Sequence, residues 1–345
     1  VDLAKADARN LGRRPKIKKS TGGRMTRARL NRQLRSEGVD AKIKSNKPDA
    51  KEANRESAST RNVTYNHLMS LKAIINQYHP NGAKIDQIPA ANVIFADEID
   101  ISADDKISSE TTAISMKRRS RTNVTNASRH LTFIAFASAA GETISSTVII
   151  SDNDSLLRKD VEMKPVKSNI CVNEKGSMTS NEGELDGTLM ASVKNFVSNL
   201  DKLHPPPTRD YILLIWDRAT THCCVEVLDF LRKNNVIVVG THPNTTSWLQ
   251  MSDRFPHAAI QRTKRTLYEK FSHIAKAPHL HLAEVEEVCL AGFSFTNIVS
   301  AVRAVGWVYC DEEHTILTIT NETATAFCDL RVNDGTLKDM HKEAI

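Results

Sequence analysis
The sequence predicts an α/β protein with a mixed sheet covered by helices. Three observations predict it. Short apolar, β-branched runs recur through the middle of the 345-residue chain. The first three of these come without a helix between them, and two are joined by the tight turn Ala140-Gly141-Glu142. From residue 186 onward, helical and strand-like patterns alternate, the order of a sheet with helices packed on it. An apolar share of 40% supports a core, and an aromatic share of 5% makes that core Ile, Val, Leu and Ala.

Residues 1–22 carry Arg13-Arg14-Pro15-Lys16-Ile17-Lys18-Lys19 and no periodic apolar positions, which predicts disorder. Met25, Leu30 and Leu34 give a short basic helix over 24–38, and 40–61 reads as a polar linker. Val63, Leu68, Leu71, Ile74 and Ile75 share one side of a helix over 62–78, which Pro80-Asn81-Gly82 stops. Asn92–Glu98 is the first core strand, His130–Ser138 the second and Thr143–Ile150 the third. Residues 151–183 are polar and read as loop. A helix over Asp186–Lys202 ends before Pro205-Pro206-Pro207. The strand Tyr211–Asp217, the helix Cys223–Lys233 and the strand Asn235–Gly240 follow. After the loop 242–253, Ile260, Leu267, Phe271 and Ile274 mark a long helix over Arg254–Lys276, and the remainder reads as helical to about residue 308. This is also the element order of a ribonuclease-H-like fold with a five-stranded sheet. The predicted division is a basic arm and linker over 1–60, the α/β domain over 61–276 and a mostly helical extension over 277–345.

Three of these segments end in or lead to an acid. They are Asp97 in Val93-Ile94-Phe95-Ala96-Asp97-Glu98, Asp217 in Ile212-Leu213-Leu214-Ile215-Trp216-Asp217, and Asp253 in Leu249-Gln250-Met251-Ser252-Asp253. In a ribonuclease-H-like fold the first and fourth strands are neighbours, so carboxylates 120 and 36 positions apart would converge. Gathered carboxylates repel one another unless a cation lies between them, and oxygen ligands of this kind suit Mg²⁺ or Mn²⁺. Two such ions about 3.5–4 Å apart form the arrangement that cuts and joins phosphodiesters. Asp253 has a second reading, as N-cap of the helix that follows. His222, one turn beyond Asp217, is open between a DNA contact, a residue that orients a ligand and a structural histidine. Glu98 reads as solvated or as a supporting group behind the ligands.

Charge points to the same partner. Residues 1–60 hold 17 Lys and Arg against 7 Asp and Glu, whereas the rest of the chain holds 30 against 34. A basic arm on a slightly acidic body is the footprint of a nucleic-acid-binding protein. The basic run at 13–19 also fits a nuclear import signal, so the nucleus is the expected location. No run approaches the roughly 20 apolar residues that cross a bilayer, so no membrane partner is expected. The six cysteines show no Cys-x-x-Cys spacing and read as free thiols.

Five segments resemble the DDE endonuclease domain of pogo-like and Tc1/mariner-type transposases, the group that includes Tigger, jerky and centromere protein B relatives. Asn92–Asp100 is similar to that family's N-x-x-N-x-D-E-T-G, and Ser138-Ala139-Ala140-Gly141 to its small-residue turn. Leu213–His222 resembles L-L-L-x-D-x-x-x-x-H, Pro243–Asp253 resembles P-x-x-T-x-x-L-Q-P-L-D, and Ile298–Trp307 resembles the closing helix. The chain departs from the pattern at Asp100, Arg218, Ser247, Met251 and Ser252, all near the expected metal site, where Arg218 would compete with metal for a carboxylate. The resemblance implies a metal-dependent DNA endonuclease that cleaves and transfers strands. In it Asp97, Asp217 and Asp253 are catalytic ligands of two Mg²⁺ or Mn²⁺ ions, with one ion at the nucleophile and one at the leaving oxygen. DNA and a second copy of the chain are its partners. The family's helix-turn-helix module normally lies upstream, so the resemblance leaves room for its tail alone, over 23–45. The departures leave a second reading: a domesticated or decayed relative that binds DNA without cutting it.

Overall fold
The computed structural model describes residues 60–78, 86–102, 130–163, 165–182, 185–203, 211–219, 221–242, 245–272, 281–333 and 337. The expected basic arm, its short helix and its linker fall almost wholly outside these residues. So do the segments 103–129 and 273–280.

Helix α1 (Arg61–Gln77) begins at Thr60, whose hydroxyl accepts the Val63 N–H, and buries Leu68, Leu71 and Ile75. A short strand β1 (Gln87–Pro89) and one 3-10 turn lead into β2 (Val93–Ser102). Next come β3 (His130–Ser138), β4 (Thr143–Ser151), α2 (Ser155–Met163), β5 (Asn169–Asn173) and the small hairpin β6 (Asn181–Glu182) and β7 (Leu185–Asp186). They are followed by α3 (Thr188–Leu203), β8 (Ile212–Trp216), α4 (Val225–Lys233) and β9 (Val236–Gly240). Two short helices, α5 (Thr246–Leu249) and α6 (Met251–Arg254), precede α7 (Pro256–Ser272). The described chain closes with α8 (Leu282–Gly292), α9 (Phe295–Ala304), β10 (Val308–Tyr309), β11 (Ile316–Thr318) and α10 (Asn321–Asn333).

The main sheet runs β5-β4-β3-β2-β8-β9. β3 is antiparallel to both β2 and β4, while β8 runs parallel to β2 and β9 parallel to β8. The inner order is that of a ribonuclease-H-like sheet. The sheet has six strands rather than the five expected, because β5 adds to the outer edge of β4 in parallel. Its sequence, Asn-Ile-Cys-Val-Asn, is only partly buried, so backbone pairing holds it there. For the same reason the stretch 151–183 is not a plain loop. It contains α2, β5 and β6.

Alternation along the strands separates two cores. Val93, Phe95, Ile99, Leu213 and Ile215 point into the larger one, which also takes Leu68 of α1, Ile260 of α7, Val288 of α8, Val302 of α9 and Ala324 of α10. Ile94, Ala96, Ile212, Leu214 and Trp216 point into the other, under α3 and α4. The turn between β3 and β4 places Gly141 at φ +94°, where a Cβ would lie 2.2 Å from the Phe295 ring; glycine removes both conflicts. The stretch after residue 308, whose state the sequence leaves open, pairs β10 and β1 with β11 in a second, three-stranded sheet. Among the described residues, no single helix is long and apolar enough to cross a membrane.

Candidate active site
β2 and β8 lie side by side in parallel with Phe95 opposite Ile215. Asp97 and Asp217 each stand two residues beyond that pair, so strand register brings them to the same level. Both share the odd-numbered parity of the larger core, while Glu98 faces the other side of the sheet. Asp253 arrives from α6. The residue before that helix, Gln250, is fully buried and donates from Nε2 to the Ala96 carbonyl at 2.8 Å, which fastens α6 to β2 one residue from Asp97.

Asp253 does not cap the long helix. It lies inside α6, and α7 begins two residues after that helix ends, with Pro256 in its first turn, where a missing N–H is tolerated. The break between the helices leaves Asp253 and His257 four residues apart and in contact, with Asp253 Oδ1 to His257 Nδ1 at 3.1 Å. His257 Nδ1 is also 3.9 Å from Asp97 Oδ2. One ligand atom from each of Asp97, Asp253 and His257 lies within 4.8 Å of the others, a set that could hold a metal ion. Sequence reasoning missed His257. The signal it offered is the spacing Asp253-x-x-x-His257, which on an unbroken helix would put two donors on one face.

The second cluster is built around His222, whose side chain is 1% exposed. Its ring stacks on Trp216 with centroids 4.7 Å apart. Nδ1 contacts Asp217 Oδ1 at 2.6 Å, and Nε2 lies 3.2 Å from Glu98 Oε2 as an ion contact outside hydrogen-bonding alignment. Burial disfavours the charged ring, but the carboxylates of Asp217 and Glu98 outweigh it and push the imidazolium up to about 10. Asp217 answers in the other direction. Burial alone would raise it, yet His222 and the Ala219 N–H, which donates to Oδ1 at 2.9 Å, hold it below the ordinary carboxylate range. A direct DNA contact through His222 does not fit its burial.

Asp97 has no such partner. Its side chain is 12% exposed. Burial first, then the negative charges of Glu98, Asp253 and Asp217, drive it well above the ordinary carboxylate range, with His222 pulling weakly the other way. The Glu98 N–H donates to Asp97 Oδ1 at 3.0 Å. A half-enclosed carboxylate with three acids around it is the environment a divalent cation relieves, so the donor set fits such an ion.

The residues that depart from the family pattern fall in different places. Arg218 is exposed and lies over Gly240, where a Cβ would meet its Cγ at 2.6 Å. Among the described residues it makes no ion pair with the site carboxylates, so the expected competition is not seen. Met251 and Ser252 are buried. Asp100 is exposed on β2 and accepts from the Thr132 hydroxyl at 3.3 Å. The side chain of Ser247 lies outside the described residues.

No protein-family model matches the chain, and no curated protein matches it. Among solved structures it is similar to the Mos1 mariner paired-end complex with Mn, at 12% identity and a TM-score of 0.41 over 79% of this chain and 68% of that one. It is similar to a pre-cleavage Mos1 transpososome at 13% identity and a TM-score of 0.40, over 81% and 70% of the two chains. It is also similar to the catalytic domain of Mos1 mariner transposase at 10% identity and a TM-score of 0.37, over 76% and 95%.

Proposed function
We propose that this chain is a transposase-derived DDE endonuclease domain that cleaves and transfers DNA strands with a divalent cation, Mg²⁺ or Mn²⁺. The observation that carries the reading is Asp97: a mostly buried carboxylate flanked by Asp217, Asp253 and Glu98 with no fixed cation of its own. Asp97, Asp217 and Asp253 are the residues proposed to hold metal. A cation bound there supplies Lewis-acid stabilisation of charge at the scissile phosphate. The chain's own residues do the positioning. The β2–β8 register sets Asp97 beside Asp217, Gln250 fixes the helix that carries Asp253, and His222 braces Asp217 against Glu98. The proposed partner is DNA, reached through the basic segment 1–60 and bound by a pair of chains in the nucleus.

The test is cleavage of end-labelled duplex DNA with Mg²⁺ or Mn²⁺, beside an Asp217→Ala control. Metal-dependent nicking by the parent protein alone supports the reading. If both proteins retain DNA on a gel and neither cuts it, the chain is a DNA-binding protein without catalysis. One observation favours that second reading: His222 already brings one positive charge to Asp217 and Glu98 from inside the fold, which lessens their call for metal.

A further inference from the structure
His257 stands where a ligand would. Nδ1 is 3.1 Å from Asp253 Oδ1 and 3.9 Å from Asp97 Oδ2. Donors that each sit about 2.0–2.2 Å from one ion are separated from their neighbours by roughly 3–3.5 Å. The two His257 distances are near that spacing, one ligand atom from each of the three residues lies within 4.8 Å of the others, and 3.9 Å is too long for a hydrogen bond to span. The other end of the ring points away from the carboxylates' reach. His257 Nε2 is buried, has no hydrogen-bond partner among the described residues, and the ring meets Phe293 edge-on at 6.3 Å. Nδ1 faces the carboxylates and shares with Asp253 Oδ1 a hydrogen bond that a bound ion would replace.

We propose that His257 is a nitrogen ligand, through Nδ1, of the ion held by Asp97 and Asp253, and that this makes the position selective for first-row transition ions such as Mn²⁺ or Co²⁺ over Mg²⁺. The inference rests on the metal-dependent reading above and deepens it. An all-oxygen site suits Mg²⁺, which dehydrates reluctantly and seldom takes nitrogen, whereas imidazole suits the later divalent ions. Asp253 and His257 present their donors from either side of the break between α6 and α7, and β2 supplies the third from the sheet, so the site is assembled only in the folded chain. Asp217, which contacts His222, is not among these three donors.

The experiment measures metal binding, not turnover. The full chain is titrated with Mn²⁺ and separately with Mg²⁺, and the Mn²⁺-loaded protein is examined by pulsed EPR for nitrogen coupling. The parent should show coupling to one imidazole nitrogen. His257→Ala should lose that coupling and weaken Mn²⁺ binding by about tenfold or more while changing Mg²⁺ binding by less than about threefold. His257→Gln, which keeps the volume and an oxygen donor, guards against misfolding; it should lose the nitrogen coupling with the melting temperature preserved. If the nitrogen coupling persists in His257→Gln, or Mn²⁺ binds His257→Ala as tightly as the parent, His257 is not a ligand, although the metal-dependent reading survives. If the parent binds neither ion, that reading fails and this one falls with it.

Discussion
Neighbouring residues of one strand head two acidic clusters that have solved the same electrostatic problem differently. Glu98 faces the α3–α4 side and shares His222 with Asp217, so two carboxylates have a buried imidazolium between them. Asp97 faces the opposite side with Asp253 and His257, and its own shift shows charge left uncompensated. The first cluster carries a counter-charge of its own. The second asks for a cation from solution. Three clustered acids are therefore not equivalent: Asp217 meets an ion with a histidine already beside it, whereas Asp97 and Asp253 depend more fully on one.

The largest effect should come from Asp97→Asn. It is expected to lower metal-dependent cleavage by about a thousandfold or more, roughly 4 kcal/mol of transition-state stabilisation, read as single-turnover rates on labelled DNA. The same substitution should stabilise the metal-free protein. A carboxyl whose folded value is raised loses folding free energy as pH climbs above its unfolded value near 3.8, and asparagine removes that loss. A rise in melting temperature at neutral pH without metal is the expected result, and a fall would mean that Asp97 is not strained.

The opposite sign is expected in the other cluster. His222→Ala should destabilise the fold by about 3 kcal/mol, because it strands two partly buried carboxylates, as denaturant unfolding would show. Its pH dependence follows from a raised value. The stabilisation is fully present below about 6.5 and is lost as pH rises through about 10, so parent and variant should converge between neutral and strongly alkaline pH. A constant gap across that range would contradict the imidazolium bridge. A smaller loss, about 1–2 kcal/mol, is expected for Gln250→Leu, which removes the 2.8 Å bond to Ala96, and it should weaken metal binding as Asp253 loosens. Smallest is Gly240→Ala: the group it meets is the flexible Arg218 side chain, so a loss under about 1 kcal/mol in melting experiments is expected.

Much of this was legible in the sequence, and the exceptions have causes. β8 was readable because a strand buried on both faces is an unbroken apolar run, with no exposed residue from Ile212 to Trp216, whereas β4 was readable from its β-branched residues and the tight turn before it. β5 was not, since an edge strand held by pairing need not be apolar. Strands as short as β10, with two residues, leave too few positions for a periodic signal. The convergence of Asp97 and Asp217 followed from the order of elements. The placement of His257 did not: its distance from Asp97 is set by how α7 packs across the sheet, and a lone histidine on an amphipathic helix gives no sign of that. The role of His222 stayed open for a related reason, because only burial and a stacked Trp216 separate a brace from a DNA contact.

The most direct test is a Mn²⁺ titration of the full chain and of Asp97→Asn by calorimetry in metal-free buffer. A saturable binding event in the parent that disappears in Asp97→Asn, while His222→Gln retains it, is the predicted result. Equal binding by parent and Asp97→Asn, or none by either, would contradict the claim that this carboxylate cluster is built for a cation.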